Sequence, residues 1–333
     1  MALLRTKRCR IALAAASVVL LWVYSFGKSA PLSVRTFLHS ALHLTETRSE
    51  LMSVLRSTSP NVVHPGSFRS YNDRFSCKKA VLMNMTFPVC HYTVAIDDTV
   101  TGLLMRGKYY EADEVSRFVR LLRSDQRLQL VDIGANVGLW SLPAARITQV
   151  LAVEPNWRSM SRLAKAVDLG AVGSNITLIH NAVSDVRGTF HLGVHARNQG
   201  NTFVINTTKC IQTPVNQPCN TVSSIGTIFL NDLVPLMRSK SALLKVDVEG
   251  HEFKVFTNSS AGKFFDQIDV PLVFMEWVLC KRYSTETMQR LLYFFYSRNY
   301  TAYNVDVENS KLDNRYLNWP YNVLFKKSTS IRF

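Results

Sequence analysis

The sequence predicts an α/β domain built on a doubly wound, mostly parallel sheet. Two observations carry that expectation. Short apolar runs of strand length recur between residues 128 and 277 ("LQLVDI", "QVLAVE", "ITLI", "ALLKVDV", "PLVFMEW"), with helix-length segments between several of them. Four of the runs carry an acidic residue at or near the carboxyl end: Asp132, Glu154, Asp247 and Glu276. That edge is where an open parallel sheet gathers its ligand-binding groups. The 333 residues are 47% hydrophobic and 19% charged, which allows a sizeable core and excludes global disorder.

Residues 1–10 read as a cytosolic tail with Arg5, Lys7, Arg8 and Arg10 and no acidic residue. Ile11 to Phe26 carries no charge, and Lys28 closes it. As a helix it reaches ~24 Å, the span of a thin bilayer. The flanking charges predict a type II signal anchor over 11–27, in an early secretory membrane such as the Golgi, with the rest lumenal. Cleavage after this segment, giving a secreted chain, is the competing reading. Five acceptor sequons, at Asn84, Asn175, Asn206, Asn258 and Asn299, agree with a lumenal domain. In that oxidising setting Cys77 with Cys90, and Cys210 with Cys219, each suit a short disulfide loop, whereas no cysteine or histidine spacing suits zinc. The net charge of +15 is scattered apart from the basic run at Arg5–Arg10, so no nucleic-acid partner is expected.

Residues 28–75 read as a lumenal stem. Val34, Phe37, Leu38, Ala41 and Leu42 have helical spacing, enough for a local helix or a homodimer contact. The globular domain is placed over 76–333. Within it, 92–106 reads as a hairpin turning near Asp97 and Asp98. Residues 110–124 read as a helix, as do about 156–168 and 285–298. A β-rich, cysteine-containing insertion covers about 188–223, and "YNVLFK" closes the chain as a strand.

Chemistry concentrates in two motifs. "VDIGANVGLW" follows a strand and opens a helix. Gly134 and Gly138 permit a tight turn and close backbone approach to a ligand, beside free helix amides. Asn136 stands where a dinucleotide fingerprint has glycine, which argues against a nicotinamide enzyme. Glu154, 22 positions after Asp132, is placed to accept from both hydroxyls of a ribose. In "LLKVDVEGHE", strand alternation puts Lys245, Asp247 and Glu249 on one face. Three charges there are costly unless they pair or work. A strand carrying them beside "LVDIG" would bring both motifs to the topological switch point.

"VDIGANVGLW", "AVEPN", "NAVSD", "LLKVDVEGHE" and "VFMEW", in this order and spacing, resemble the FkbM-type methyltransferases over about residues 92–326. The resemblance implies a class I methyltransferase-like, seven-stranded sheet and S-adenosyl-L-methionine as cofactor. The cofactor would lie on the first two strands, with Asp132, Gly134, Asn136, Gly138 and Glu154, and with Asp185 near the adenine. Chemistry would lie near the fourth strand and would mostly address hydroxyl oxygens. Relatives carry a Thr-Leu-Asp step before strand four where this chain reads "FLNDL", so Asn231 and Asp232 receive no role. Asp247 or Glu249 is the expected base, with His251 second. Lys245 would hold the carboxylate or stabilise the alkoxide, and Glu276 would face the site from the fifth strand. These carboxylates could instead hold a divalent metal. Compartment logic points to a glycan or other hydroxylated acceptor. The alternatives are a catalytically silent lumenal binding module on the same scaffold, or a stem-dimerised adhesion protein.

Overall fold

The computed structural model describes residues 59–64, 75–195, 198–205, 220–307 and 309–328. The expected tail and anchor, nearly all of the stem, and the Cys210–Cys219 pair lie outside the described residues. Among the described residues no helix is long and apolar enough to cross a membrane.

A hairpin of β2 (Cys77–Leu82) and β3 (Met85–Cys90) precedes the central sheet's first long strand. Met83 and Asn84 both take positive φ at its two-residue turn, the twist that a tight hairpin requires. Cys77 and Cys90 face each other in the register and a disulfide joins them, as the sequence predicts. The hairpin expected over 92–106 is replaced by helix α1 (Val100–Met105). Buried Asp97, read as a turn residue, accepts from the amides of Val100 and Thr101 and from the Thr101 hydroxyl. That capping chemistry favours a helix start over a strand reversal.

Helix α2 (Ala112–Ser124) follows, and its buried Val115, Phe118, Val119 and Leu122 form one stripe. The central sheet then builds outward from β4 (Leu128–Ile133) through β5 (Val150–Val153), β6 (Ile176–Ile179) and the two-residue β1 (Val62–Val63) on one side. On the other lie β11 (Ser241–Val246), β12 (Asp269–Glu276), β14 (Asn322–Lys327) and β13 (Tyr300–Asn304). The expected seven strands are present and β1 adds a short eighth. β6, β5, β4, β11 and β12 are parallel, while β14 runs antiparallel to both neighbours. Strand order reverses between β4 and β11.

Both faces of the sheet are covered. Leu128, Leu130, Leu243 and Phe274 pack with α2 and with Met160, Leu163 and Val167 of α4 (Trp157–Leu169). Val131, Ile133, Leu244 and Val246 pack on the other face with Phe264 of α6 (Ser259–Gln267) and Leu291 and Phe295 of α7 (Thr285–Tyr296). The insertion forms its own four-stranded sheet from β7 (Ala182–Val183), β10 (Asn220–Ile228), β8 (Thr189–His195) and β9 (Asn198–Ile205). It extends past the expected boundary at 223, because β10 continues until Thr227 and Ile228 pair with β7.

The Cys77–Cys90 bond is the covalent tie of the amino-terminal hairpin. Replacing both cysteines by serine should lower the unfolding free energy by about 2–3 kcal/mol, read as a lower urea midpoint.

Candidate active site

The register of β4 with β11 pairs Asp132 with Lys245. Both sit on the face where Leu128, Leu130 and Leu243 end, so the apolar packing gives way to an ion pair at the strand ends. Lys245 is 2% exposed. Its ammonium donates to the Gly134 carbonyl at 2.6 Å and lies 3.3 Å from Asp132 and 3.5 Å from Asp247. Asp132 also accepts from the Ser141 hydroxyl at 2.6 Å. Burial works against the charge on Lys245, but Asp132, Asp247 and Glu111 together outweigh it and hold the lysine pKa above its ordinary value. Lys245 therefore braces the glycine loop and Asp247 from beneath.

The loop itself needs its glycines for two different reasons. Gly134 has φ +85°, and a Cβ there would lie 1.7 Å from the Asp247 carbonyl oxygen, so the two strand ends touch backbone to backbone. Gly138, with φ +91°, leaves room for Leu163, which a Cβ would approach to 2.4 Å. Gly138 thus serves packing and does not line the cleft. Asn136 takes φ 49°, and its side-chain oxygen accepts from Ser159 at 3.1 Å.

Glu154, at the end of β5, is 4% exposed. One carboxylate oxygen accepts from the Asn136 amide at 2.8 Å and the other from the Asn156 amide at 2.7 Å. Burial raises its pKa to about 7 against the pull of those amides. Gly134, Asn136, Glu154, Asp247, Glu249 and His251 line one cleft at the switch point between β4 and β11. Apolar Ile133, Val153, Ala182 and Val183 complete its floor, giving a flat apolar surface beside a carboxylate, which suits an adenosine moiety.

One wall was not foreseen. Leu192, Gly200, Thr202 and Val204, all from the insertion, close over this cleft. Asn156 ties the wall down by donating to the Thr202 hydroxyl at 2.8 Å, and Arg158 donates to Gln199 at 3.3 Å. The only sequence signal was the β-rich composition of residues 188–223, which says nothing about where that sheet docks.

Asp247 and Glu249 line the cleft, and Glu111, Glu252 and Glu276 lie behind them without lining it. β11 ends at Val246, and Glu249 sits in the following turn with φ 55°, so strand alternation does not govern it. Burial first, and Asp247's charge next, raise Glu249 to about 9 and Glu276 to about 8. Glu252 begins α5 (Glu252–Phe256) and accepts from the Val248 and Gly250 amides at 3.0 and 3.2 Å. Glu111, a residue no motif marked, takes left-handed φ 53° before α2 and receives Trp140 and Asn322 on its carboxylate. His251 is held by burial to a pKa of about 4, beside Ser184 at 3.1 Å, so it is a neutral imidazole and a weak base. Asp185, expected near the adenine, instead pairs with Lys254 at 2.8 Å and accepts from Thr257 at 3.3 Å, and it does not line the cleft. Asp232 caps the turn at Phe229 and pairs with Arg187 at 2.7 Å.

A doubly wound sheet with this strand order and a glycine-loop cleft at its reversal defines a class I methyltransferase. The methyltransferase FkbM domain matches residues 132–302, more than half of the sequence, and the chain belongs to that family. It is a methyltransferase dependent on S-adenosylmethionine. No curated protein sequence matches it. Among solved structures it is similar to a precorrin-6Y C5,15-methyltransferase from Geobacter metallireducens (12% identity, TM-score 0.31, covering 64% of this chain and 89% of that one). It is also similar to an S-adenosylmethionine-dependent O-methyltransferase from Thermotoga maritima (9% identity, TM-score 0.34, covering 77% and 79%).

Glu154 gives a pH signature. Because its folded pKa is raised, its contribution to stability is present below the ordinary carboxylate range and is lost as pH rises through about 7. Ribose hydroxyls donate best to the ionised form, so cofactor affinity runs the other way. Calorimetry should show S-adenosylmethionine binding weaken by up to about tenfold per pH unit below 7. Glu154→Gln should bind weakly with a flat profile; an unchanged profile in that variant would exclude Glu154 as the ribose acceptor.

Proposed function

We propose that the chain is an O-methyltransferase of the secretory lumen, acting on a hydroxyl of a glycan or other hydroxylated acceptor, and held to the membrane as a single-pass type II protein through residues 11–27. The observation that carries the chemical part is the geometry of the switch point. A buried lysine braces both the glycine loop and a carboxylate, Asp247, that remains 27% exposed at the mouth of the cleft.

S-adenosylmethionine supplies an electrophilic methyl group. The protein's own task is to orient the acceptor oxygen, exclude water and take up the hydroxyl proton. Asp247 and Glu249 line the cleft beside the loop; Asp247 is the acceptor for that proton, because Glu249, raised to about 9, already holds its own near neutral pH. Lys245 donates to the Gly134 carbonyl and forms ion pairs with Asp132 and Asp247, holding Asp247 in place as a positioning residue. Changing Asp247 to Asn should reduce turnover at least about a hundredfold while S-adenosylmethionine affinity stays within a few-fold. Full turnover in that variant would remove Asp247 from the chemistry.

The compartment reading draws support from the Cys77–Cys90 disulfide, which suits an oxidising lumen, and from the sequons. Asn84 and Asn299 are exposed at positive-φ turns and open to a glycan. Asn175 donates to the Ala145 carbonyl at 3.0 Å, and Asn258 donates to the Asp185 carbonyl at 3.1 Å while capping α6. Glycopeptide mapping of the chain made in animal cells should find occupancy at Asn84 and Asn299 and little at Asn175 and Asn258. A chain with no glycan at any site would count against lumenal residence.

A further inference from the structure

The cluster of carboxylates around Asp247 holds more acids than proton transfer requires. Asp247, Glu252 and Glu276 come from three separate elements: the end of β11, the start of α5 and the end of β12. One carboxylate oxygen from each lies within 4.8 Å of the others. Glu276 is 3% exposed, and its Oε2 has no hydrogen-bond partner although it is fully enclosed. A buried carboxylate oxygen without a donor is costly in any protein. Beside two further carboxylates, the group that would satisfy it is a cation.

We propose that Asp247, Glu252 and Glu276 form a binding site for a hard divalent cation beside the cleft, which Asp247 lines. The donor set is all oxygen, which selects magnesium, calcium or manganese over softer metals. Three carboxylate oxygens within 4.8 Å of one another are close enough to share one such ion. Glu252 is pre-aligned, since one oxygen takes the Val248 and Gly250 amides while the other accepts from the Cys280 thiol at 3.7 Å. Lys245, 3.5 Å from Asp247, is shared with Asp132 and the Gly134 carbonyl. A cation there would present open coordination positions to acceptor oxygens next to the methyl donor. That use rests on the methyltransferase reading, whereas the site itself rests on the carboxylates.

The test is to titrate the full-length chain with calcium, manganese and magnesium chloride by calorimetry. Terbium luminescence excited through Trp277, the neighbour of Glu276, gives a second readout. S-adenosylmethionine binding is measured in the same preparation. One divalent cation per chain is expected, and the three titrations rank the ions. Glu276→Gln, which keeps size and removes charge, should weaken it at least about tenfold without moving S-adenosylmethionine affinity. Asp247→Asn should do the same. Equal uptake by the wild type and both variants would overturn the site. So would a wild-type chain that binds S-adenosylmethionine and takes up no cation; the carboxylates would then be a proton-sharing cluster. Failure to bind S-adenosylmethionine would fall on the functional reading alone, and the cation titration would still decide the site.

Discussion

The ammonium of Lys245 is the point on which the functional half of this molecule rests. It is buried at the seam between β4 and β11, where strand order reverses, and it contacts both strands and the loop that leaves the first of them. Breaking a buried pair by removing one partner costs on the order of 3–5 kcal/mol, because the remaining charge is stranded. Here two carboxylates would be stranded, and the Gly134 carbonyl would lose its donor. The same contact that closes the sheet therefore sets the height of the glycine loop and the orientation of Asp247. Stability and chemistry are not separable at this position.

Much of this was legible in the chain. The strands "LQLVDI" and "ALLKVDV" announce themselves because parallel strands covered on both faces must be apolar almost throughout. The charges that interrupt them at Asp132 and Lys245 could then be read as a site. Glu154 was legible for the same reason, as the acid ending the next strand. The failures have equally physical causes. Residues 92–106 mimic strand alternation, and only the tertiary burial of Asp97 turns them into a capped helix. Glu249 was assigned a strand face by counting, but the strand stops at Val246 and the chain turns through a left-handed residue. Glu111 and the insertion's Thr202 reach the site through long-range docking, which leaves no periodicity to read.

The insertion also clarifies how the two ends of the cleft differ. Its sheet covers the Glu154 side through Leu192, Thr202 and Val204, fixed by hydrogen bonds from Asn156 and Arg158. The other side is built from strand ends and the turn before α5, and it carries the concentrated negative charge. A mostly apolar surface beside Glu154 adjoins a buried acidic cluster, a division that suits one bound nucleoside and a second reactant near Asp247.

One consequence lies in the two amides that Glu154 already holds. Asn136 and Asn156 donate to its two oxygens, so the loop after β4 and the start of α4 are tied together through one carboxylate. A loop that had to freeze on binding would subtract its lost rotameric and backbone freedom from every affinity it achieved. This one is preorganised, and its ordering entropy is spent once, when the chain folds. The same lock limits how far a ligand can reshape its own site, so discrimination among nucleoside analogues is set by a rigid shape and not by induced fit.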